Sequence, residues 1–231
     1  MGAERIGYVD GETPLEGLLF RPTEAPRAAA AVFPTIMNTT PAVEAKAQAL
    51  AEAGYLAMVC DLYGRTPADF AQSQDWAGEL TRNVEMHRAQ LYASLAALRI
   101  RAEGLPLLAI GFCMGGQAVL ELARSGADLR AVASFHGLLQ TLAPAQPDTV
   151  RARILVCHGY ADPLVPREHV IAFWEEMDRA GADWHFHAYG KVKHGFTNPN
   201  PPPDNGVVDY DASADRQSWA AMLNFFDEVL G

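Results

Sequence analysis

The sequence has little cysteine, no excess of positive charge and no long apolar run, and each shortage excludes a class of protein. Its three cysteines, Cys60, Cys113 and Cys157, are odd in number and far apart, so they do not form a disulfide framework. Basic residues number 18 against 28 acidic ones, a formal net charge of -10, so we expect neither nucleic acid nor an anionic membrane as a partner. No apolar run approaches the roughly 20 residues of a membrane helix, and the amino terminus lacks a signal core, so we expect a cytoplasmic protein.

Short apolar runs alternate with helical patterns along the 231 residues, which predicts an α/β fold. The eight predicted strands lie at 6–10, 15–20, 29–33, 56–60, 107–110, 131–135, 154–157 and 184–188. The predicted helices lie at 42–53, 83–100, 115–125 and 167–180, and a last one follows Asp215. The polar DGETP between the first two strands predicts a hairpin, and the alternation after it predicts a mostly parallel sheet with helices on both faces.

The chain shows no internal repeat and no change of composition that would mark a linker. We therefore expect a single domain over residues 1–231. The proline-rich NPNPPPDNG at 198–206 predicts a stiff surface loop, because proline excludes regular structure there.

The segment AIGFCMGGQAV joins a predicted strand to a predicted helix, and a cysteine lies at the junction. Gly111 and Gly115 flank Cys113 in the pattern of a nucleophile elbow, in which small residues prevent collision with the neighbouring strand and helix. The helix that begins beside Cys113 points its positive end at the sulfur and favours the thiolate. The alternative is a buried cysteine that packs like a small apolar side chain, and the other two cysteines, within AMVCD and ILVCHG, fit that description.

A thiol nucleophile at an elbow needs a base and an acid that orients the base, in the chain order nucleophile, acid, histidine. The turn HGYADPLVP supplies Asp162, and the loop YGKVKHGF, after the next strand, supplies His194. Alone, these would be a helix cap and a surface loop residue, but their joint placement predicts a triad with Cys113. The backbone N–H of Met114 and one in the turn after the third strand would form an oxyanion hole, with Ile36 as our candidate for the second.

These motifs together resemble the dienelactone hydrolase family of α/β-hydrolases. The resemblance rests on the elbow GFCMGG, the DLYGR after the fourth strand, the HGYADPLVP turn and the final KHGF, which span nearly the whole chain. It implies an α/β-hydrolase fold, with Cys113 as nucleophile, Asp162 as orienting acid and His194 as general base. It also implies hydrolysis of a small ester or lactone without a metal or cofactor. We expect a monomer or a homodimer.

Two departures from the family pattern bear on the substrate. Members that act on dienelactone resemble one another in placing a glutamate near the position of Thr35, and an arginine a few residues after the catalytic histidine, where this chain has Asn198. A threonine cannot control the ionisation of the thiol, and an amide cannot pair with a substrate carboxylate as a cation does. We therefore expect neutral esters to be preferred. The alternative is a true dienelactone hydrolase, with Arg65 or Arg82 as the partner of the carboxylate.

Five side chains are candidates for the substrate pocket because they follow strand ends or the catalytic histidine. They are Thr35, Tyr63, His136, Phe196 and Asn198. For the last four, ordinary loop packing is an equally good interpretation.

Two other classes of protein remain to be considered. His185 and His187 alternate along a predicted strand and face the same way, which suggests a metallohydrolase. The third ligand would have to come from His136, His158 or His194, and the sequence has no dense cluster of histidine and aspartate. A non-catalytic small-molecule-binding module on the same fold is the other alternative, since a fold does not dictate function.

Overall fold

The computed structural model describes residues 2–201 and 206–231, and these residues form eight strands and six helices. The strands are β1 (Glu4–Asp10), β2 (Thr13–Phe20), β3 (Ala28–Phe33), β4 (Tyr55–Val59), β5 (Leu107–Phe112), β6 (Ala131–Phe135), β7 (Arg153–Gly159) and β8 (Trp184–Tyr189). The helices are α1 (Pro41–Glu52), α2 (Phe70–Arg82), α3 (Val84–Ala102), α4 (Met114–Arg124), α5 (Arg167–Arg179) and α6 (Ala212–Leu230). None of these helices is long and apolar enough to cross a membrane. Residues 202–205 of the predicted proline-rich loop lie outside the described residues.

All eight strands form one sheet, in the order β1-β2-β4-β3-β5-β6-β7-β8. β1 pairs antiparallel with β2, from Glu4 opposite Leu19 to Asp10 opposite Thr13, which confirms the predicted hairpin. β2 also pairs antiparallel with β4, and every pairing from β4 to β8 is parallel. The prediction of a mostly parallel eight-stranded sheet is therefore confirmed. The strand order places β5 in the interior of the sheet and β8 at its edge.

The central strands read as continuous apolar runs because they are buried on both faces of the sheet, as in AAAAVF of β3 and LLAIGF of β5. Successive residues of β3 belong to different cores. Ala31 and Phe33 pack in the core that includes buried residues of α3, α4 and α5, whereas Ala30 and Val32 pack in the core that includes those of α1 and α6. Helices therefore cover both faces, as the alternation of elements predicts.

Helix α2 is absent from the predicted helices. Only Ser73 and Leu80 are buried in its sequence FAQSQDWAGELTR, so the apolar stripe is too sparse for a helical period to show. The local signal is Asp69, which caps the helix by accepting the backbone N–H of Gln72 at 2.8 Å. The last helix also begins earlier than predicted, at Ala212, because the preceding aspartate caps it there.

Candidate active site

Cys113 lies at the sharp turn between β5 and α4. Its backbone has a φ of 56° and a ψ of -115°, a strained conformation for a residue with a side chain. Two glycines make this turn possible. A Cβ at Gly111 would overlap the carbonyl of Gly115, and a Cβ at Gly115 would overlap the carbonyl of Phe33 at the end of β3. Within this tight packing, Cys113 remains partly exposed.

Asp162 and His194 meet at the carboxyl end of the sheet. Asp162 lies in the turn between β7 and α5, and His194 lies in the loop after β8. Oδ2 of Asp162 is 2.7 Å from Nδ1 of His194, and both residues are buried. Oδ1 of Asp162 accepts the backbone N–H of Leu164 at 2.9 Å, which fixes the carboxylate. The carboxylate therefore holds the imidazole with a proton on Nδ1 and leaves Nε2 for proton exchange.

Cys113 and His194 lie close enough to change each other's pKa. Burial raises the pKa of the Cys113 thiol, but the positive charge of His194 and nearby N–H donors together leave that pKa below its ordinary value. Burial likewise lowers the pKa of His194, but the Cys113 thiolate and the bond to Asp162 raise it well above its ordinary value. Both directions favour a thiolate-imidazolium pair. Nε2 of His194 is buried and has no other hydrogen-bond partner among the described residues, so this interaction with Cys113 is its only polar one there.

The pKa values of the other two thiols are shifted in the opposite direction to that of Cys113. Cys60 and Cys157 are both wholly buried. Burial raises the pKa of Cys60 far above its ordinary value and that of Cys157 to about 12. Of the three thiols, only that of Cys113 is shifted towards the reactive thiolate.

Two backbone N–H groups interact with the Cys113 sulfur and lower its pKa, those of Met114 and Ile36. Met114 is the first residue of α4, and Ile36 lies in the loop after β3. These are the two donors that the sequence nominates for an oxyanion hole. The structure therefore brings both of them to the sulfur.

Asn38 and Asp61 fix the loop that contains Ile36. The sequence alone did not indicate a role in the site for either residue. Asn38 has a φ of 61° and is only 5% exposed, and its backbone N–H donates to the carbonyl of Thr35 at 2.9 Å. Its Nδ2 donates to Oδ1 of Asp61 at 2.8 Å. Oδ1 of Asp61 also accepts the backbone N–H of Tyr63 at 2.9 Å. The pair thus links the Ile36 loop to the DLYGR segment. The aspartate of that motif is the one feature of the sequence that could have indicated this link.

Tyr63 contacts both residues whose backbone N–H groups interact with the Cys113 sulfur. Its hydroxyl oxygen lies 3.2 Å from the carbonyl oxygen of Ile36 and 3.1 Å from Sδ of Met114. Burial, and then the negative charge of Cys113, raise the pKa of Tyr63 well above its ordinary value. The phenol therefore stays protonated near Cys113.

The other predicted pocket residues take different positions. Thr35 and Asn198 are partly exposed, and each accepts a backbone N–H from its own loop through its side-chain oxygen, at 3.3 Å and 3.0 Å. Phe196 is wholly buried and His136 is 2% exposed. These two rings pack in the interior and do not form an open wall.

The predicted histidine pair on β8 is exposed. His185 packs against Phe225 with 5.6 Å between ring centroids. In the described ranges 2–201 and 206–231, no group of three or more His, Cys, Asp or Glu side chains could hold a metal ion. His185 and His187 therefore have no third ligand among these residues.

Comparison with known proteins gives matches along most of the chain. The sequence model of the dienelactone hydrolase family matches residues 15–230. An uncharacterised protein of Caenorhabditis elegans is 41% identical over 127 residues, which cover 52% of this chain and 78% of that protein.

Two solved structures are similar over nearly their whole length. One, named m3DLH, is 36% identical with a TM-score of 0.92, and the match covers 99% of this chain and 98% of that one. The other is P91, described as a dienelactone hydrolase-like promiscuous phosphotriesterase from metagenomic libraries. It is 34% identical with a TM-score of 0.92 and the same coverage of 99% and 98%.

Proposed function

The chain belongs to the dienelactone hydrolase family, and we therefore propose that it hydrolyses small carboxylic esters or lactones through a thioester on Cys113. The proposal rests on the arrangement of groups around Cys113. His194 is bonded to Asp162 at 2.7 Å and lowers the pKa of Cys113, whose sulfur also interacts with two backbone N–H groups. A nucleophile, a base with its orienting acid, and two donors for an oxyanion are thus gathered in one place.

In the first half-reaction, the Cys113 thiolate attacks the carbonyl carbon of the substrate and forms a C–S bond, while the π electrons of the carbonyl move to oxygen. The N–H groups of Met114 and Ile36 donate to this oxyanion. As the intermediate collapses, the C–O bond to the leaving group breaks. The imidazolium of His194 gives its Nε2 proton to the alkoxide, which leaves as an alcohol.

In the second half-reaction, water hydrolyses the thioester. His194, now neutral, takes a proton from water as the water oxygen attacks the thioester carbonyl. The C–S bond then breaks, which releases the carboxylic acid and restores the thiolate of Cys113. Asp162 stabilises the imidazolium that forms, so the resting pair is regenerated.

His194→Ala is expected to slow alkylation of Cys113 by iodoacetamide at neutral pH by about tenfold or more, because an isolated thiol is only a few per cent ionised there. The imidazolium lowers the pKa of the Cys113 thiol, so its removal raises that pKa and moves the rate profile to higher pH. The rates should converge in alkaline solution. Asp162→Asn should have an intermediate effect, because it loses the orienting charge but keeps the imidazole.

Mass spectrometry of the labelled peptides measures this rate and contains its own control. Cys60 and Cys157 are buried and should stay unlabelled in the native wild-type protein and in both variants. Equal rates of Cys113 alkylation in all three proteins, from neutral to alkaline pH, would show that the thiol is not coupled to His194. The proposed triad would then be wrong, and a non-catalytic binding site would be favoured.

The proposed substrates are neutral. Thr35 and Asn198, the positions at which charged groups would serve a carboxylate-bearing lactone, are uncharged, and Tyr63 packs on Trp76 with 5.4 Å between ring centroids. We expect kcat/KM for a small neutral aryl ester to exceed that for dienelactone by about tenfold or more, since one hydrogen bond to a charged group contributes about 1.5–3 kcal/mol. Steady-state kinetics on neutral esters, neutral lactones and dienelactones measures the ratio.

Asn198→Arg tests the cause of this preference. The new cation should raise kcat/KM for dienelactone and leave that for neutral esters within about twofold. Asn200→Arg, at an exposed position of the same loop, controls for added charge. The expectation is wrong if the wild-type enzyme prefers dienelactone to every neutral ester. True dienelactone hydrolysis would then be favoured, with Arg65, whose guanidinium lies 3.8 Å from the centroid of the Trp76 ring, as the candidate anchor.

The similarity to P91 favours phosphotriester hydrolysis as a second candidate activity. P91 is described as a promiscuous phosphotriesterase, and it matches 99% of this chain. The same thiolate would attack phosphorus and displace an aryl oxide, with His194 as the proton donor. An aryl dialkyl phosphate added to the substrate panel tests this candidate, which fails if wild-type turnover does not exceed that of Cys113→Ala.

A further inference from the structure

His136 is a buried histidine in contact with both halves of the proposed catalytic pair. It follows β6 with a φ of 41° and is 2% exposed. Its Nδ1 accepts the backbone N–H of Cys113 at 3.0 Å, and the carbonyl of Phe135 shares that donor. Its Nε2 lies 2.9 Å from Oγ1 of Thr197, three residues after His194. The imidazole of His136 therefore connects the turn at Cys113 with the loop that contains His194.

These contacts fix the protonation state of the ring. A backbone N–H can only donate, so Nδ1 of His136 carries no proton, and Nε2 carries one that it donates to Thr197. Burial lowers the pKa of His136 well below its ordinary value, and the positive charges of His194 and Lys46 act in the same direction. The ring therefore stays neutral and keeps both hydrogen bonds.

The ring of His136 also packs against the loop of His194. The centroid of its ring is 5.2 Å from that of His194 and 5.2 Å from that of Phe196, both in edge-on arrangements. Phe196 is wholly buried, so this part of the loop is anchored in the interior. Three residues of the loop thus contact one imidazole, and the loop cannot shift without moving it.

We propose that His136 is a positioning residue, which holds the Cys113 backbone and the His194 loop in register so that the sulfur and Nε2 of His194 stay within reach. The proposal rests on the proposed function, because it takes Cys113 and His194 as the reacting pair. His136 itself acts through the backbone of the one and the loop of the other. Such positioning matters because a shift of about 1 Å in a reacting group can slow a reaction about 100-fold.

A double-mutant cycle on His136→Asn and Thr197→Val tests the proposal, with kcat and KM measured on a small neutral ester. Asparagine keeps an acceptor near the place of Nδ1 but does not reach Thr197, and valine keeps the shape of threonine without its oxygen. Each variant should lower kcat by about tenfold with KM within about twofold. The double variant should be no slower than His136→Asn, because both changes remove the same bond.

His136→Phe removes both hydrogen bonds but keeps an aromatic ring, and it should lower kcat by about 100-fold. If this variant does not fold, the kcat values of His136→Asn and Thr197→Val test the proposal instead. His87→Asn is the matched control, since His87 is an equally buried histidine on α3 beside Arg88 and Glu121. It should lower the melting temperature without changing kcat per folded molecule.

Two results would overturn the proposal while Cys113→Ala is inactive. One is wild-type kcat in both His136→Asn and Thr197→Val, and the other is a double variant in which the two losses multiply. If Cys113→Ala retains the activity instead, the proposed function is wrong. The positioning role of His136 is then wrong as well, because it assumes that Cys113 reacts.

Discussion

Cys113→Ala should lower kcat/KM for every ester in the panel by about 10³-fold or more, because the proposed acyl-enzyme forms on the sulfur that this variant lacks. The thiol of Cys113 alone has a lowered pKa, and it alone has the N–H groups of Met114 and Ile36 beside it. An alanine leaves His194 and Asp162 in place but gives the substrate carbonyl no nucleophile. Steady-state kinetics and the disappearance of a thioester adduct in mass spectrometry both measure the loss.

The remaining cysteines are the matched controls for this variant. Cys60→Ala and Cys157→Ala remove buried sulfurs in apolar surroundings, so they should lower the free energy of unfolding through small cavities and leave kcat/KM nearly unchanged. Wild-type turnover in Cys113→Ala on several esters would show that the nucleophile is a different residue. Loss of turnover in all three variants would point to damaged folding, which the melting temperature would reveal.

Gly115→Ala should destabilise the protein by about 3 kcal/mol or more, because the added methyl group would overlap backbone. A Cβ at this position meets the carbonyls of Phe33 and Pro34, where β3 passes the start of α4. Backbone atoms of a buried central strand cannot rotate away as a side chain can. Urea unfolding followed by circular dichroism measures the change, and activity should fall with the folded fraction.

Gly7→Ala is the matched control for this steric prediction. Gly7 lies on β1, and a Cβ there would have no heavy atom within 4 Å. The free energy of unfolding should stay within about 1 kcal/mol of the wild-type value. Equal stability of the two variants would mean that the elbow can open to admit a side chain, and the reason given for its glycines would be wrong.

The sheet could be predicted from the sequence because its central strands are buried on both faces and carry little but apolar residues. Leu107–Phe112 of β5 is an example, since each of its six residues is buried. Helix α2 could not be found in this way. It buries only Ser73 and Leu80, so its stability depends on contacts and a cap that leave no periodic pattern.

Asp162 and His194 could be nominated because the chain order of an elbow protein limits where an acid and a base can follow the nucleophile. The groups that support them could not be assigned by the same reasoning. Asn38 and Asp61 are 23 residues apart and meet only because β3 and β4 are neighbours in the sheet. The proposed role of His136 depends in the same way on the pairing of β6 with β5. No local sequence pattern indicates which strands are neighbours in the sheet.

The strand order gives the site two anchors of unequal strength. Cys113 follows β5, which has a partner strand on each side, whereas His194 follows β8, which is paired on one side only. Local unfolding begins where the fewest hydrogen bonds must break, so the edge opens more often than the interior. Mild heat or denaturant should therefore break the contacts between His136 and the His194 loop first, and so separate the proposed base from the proposed nucleophile while most of the sheet is still intact. We therefore expect inactivation to precede unfolding, and the edge of the sheet to set the upper temperature of the proposed catalysis.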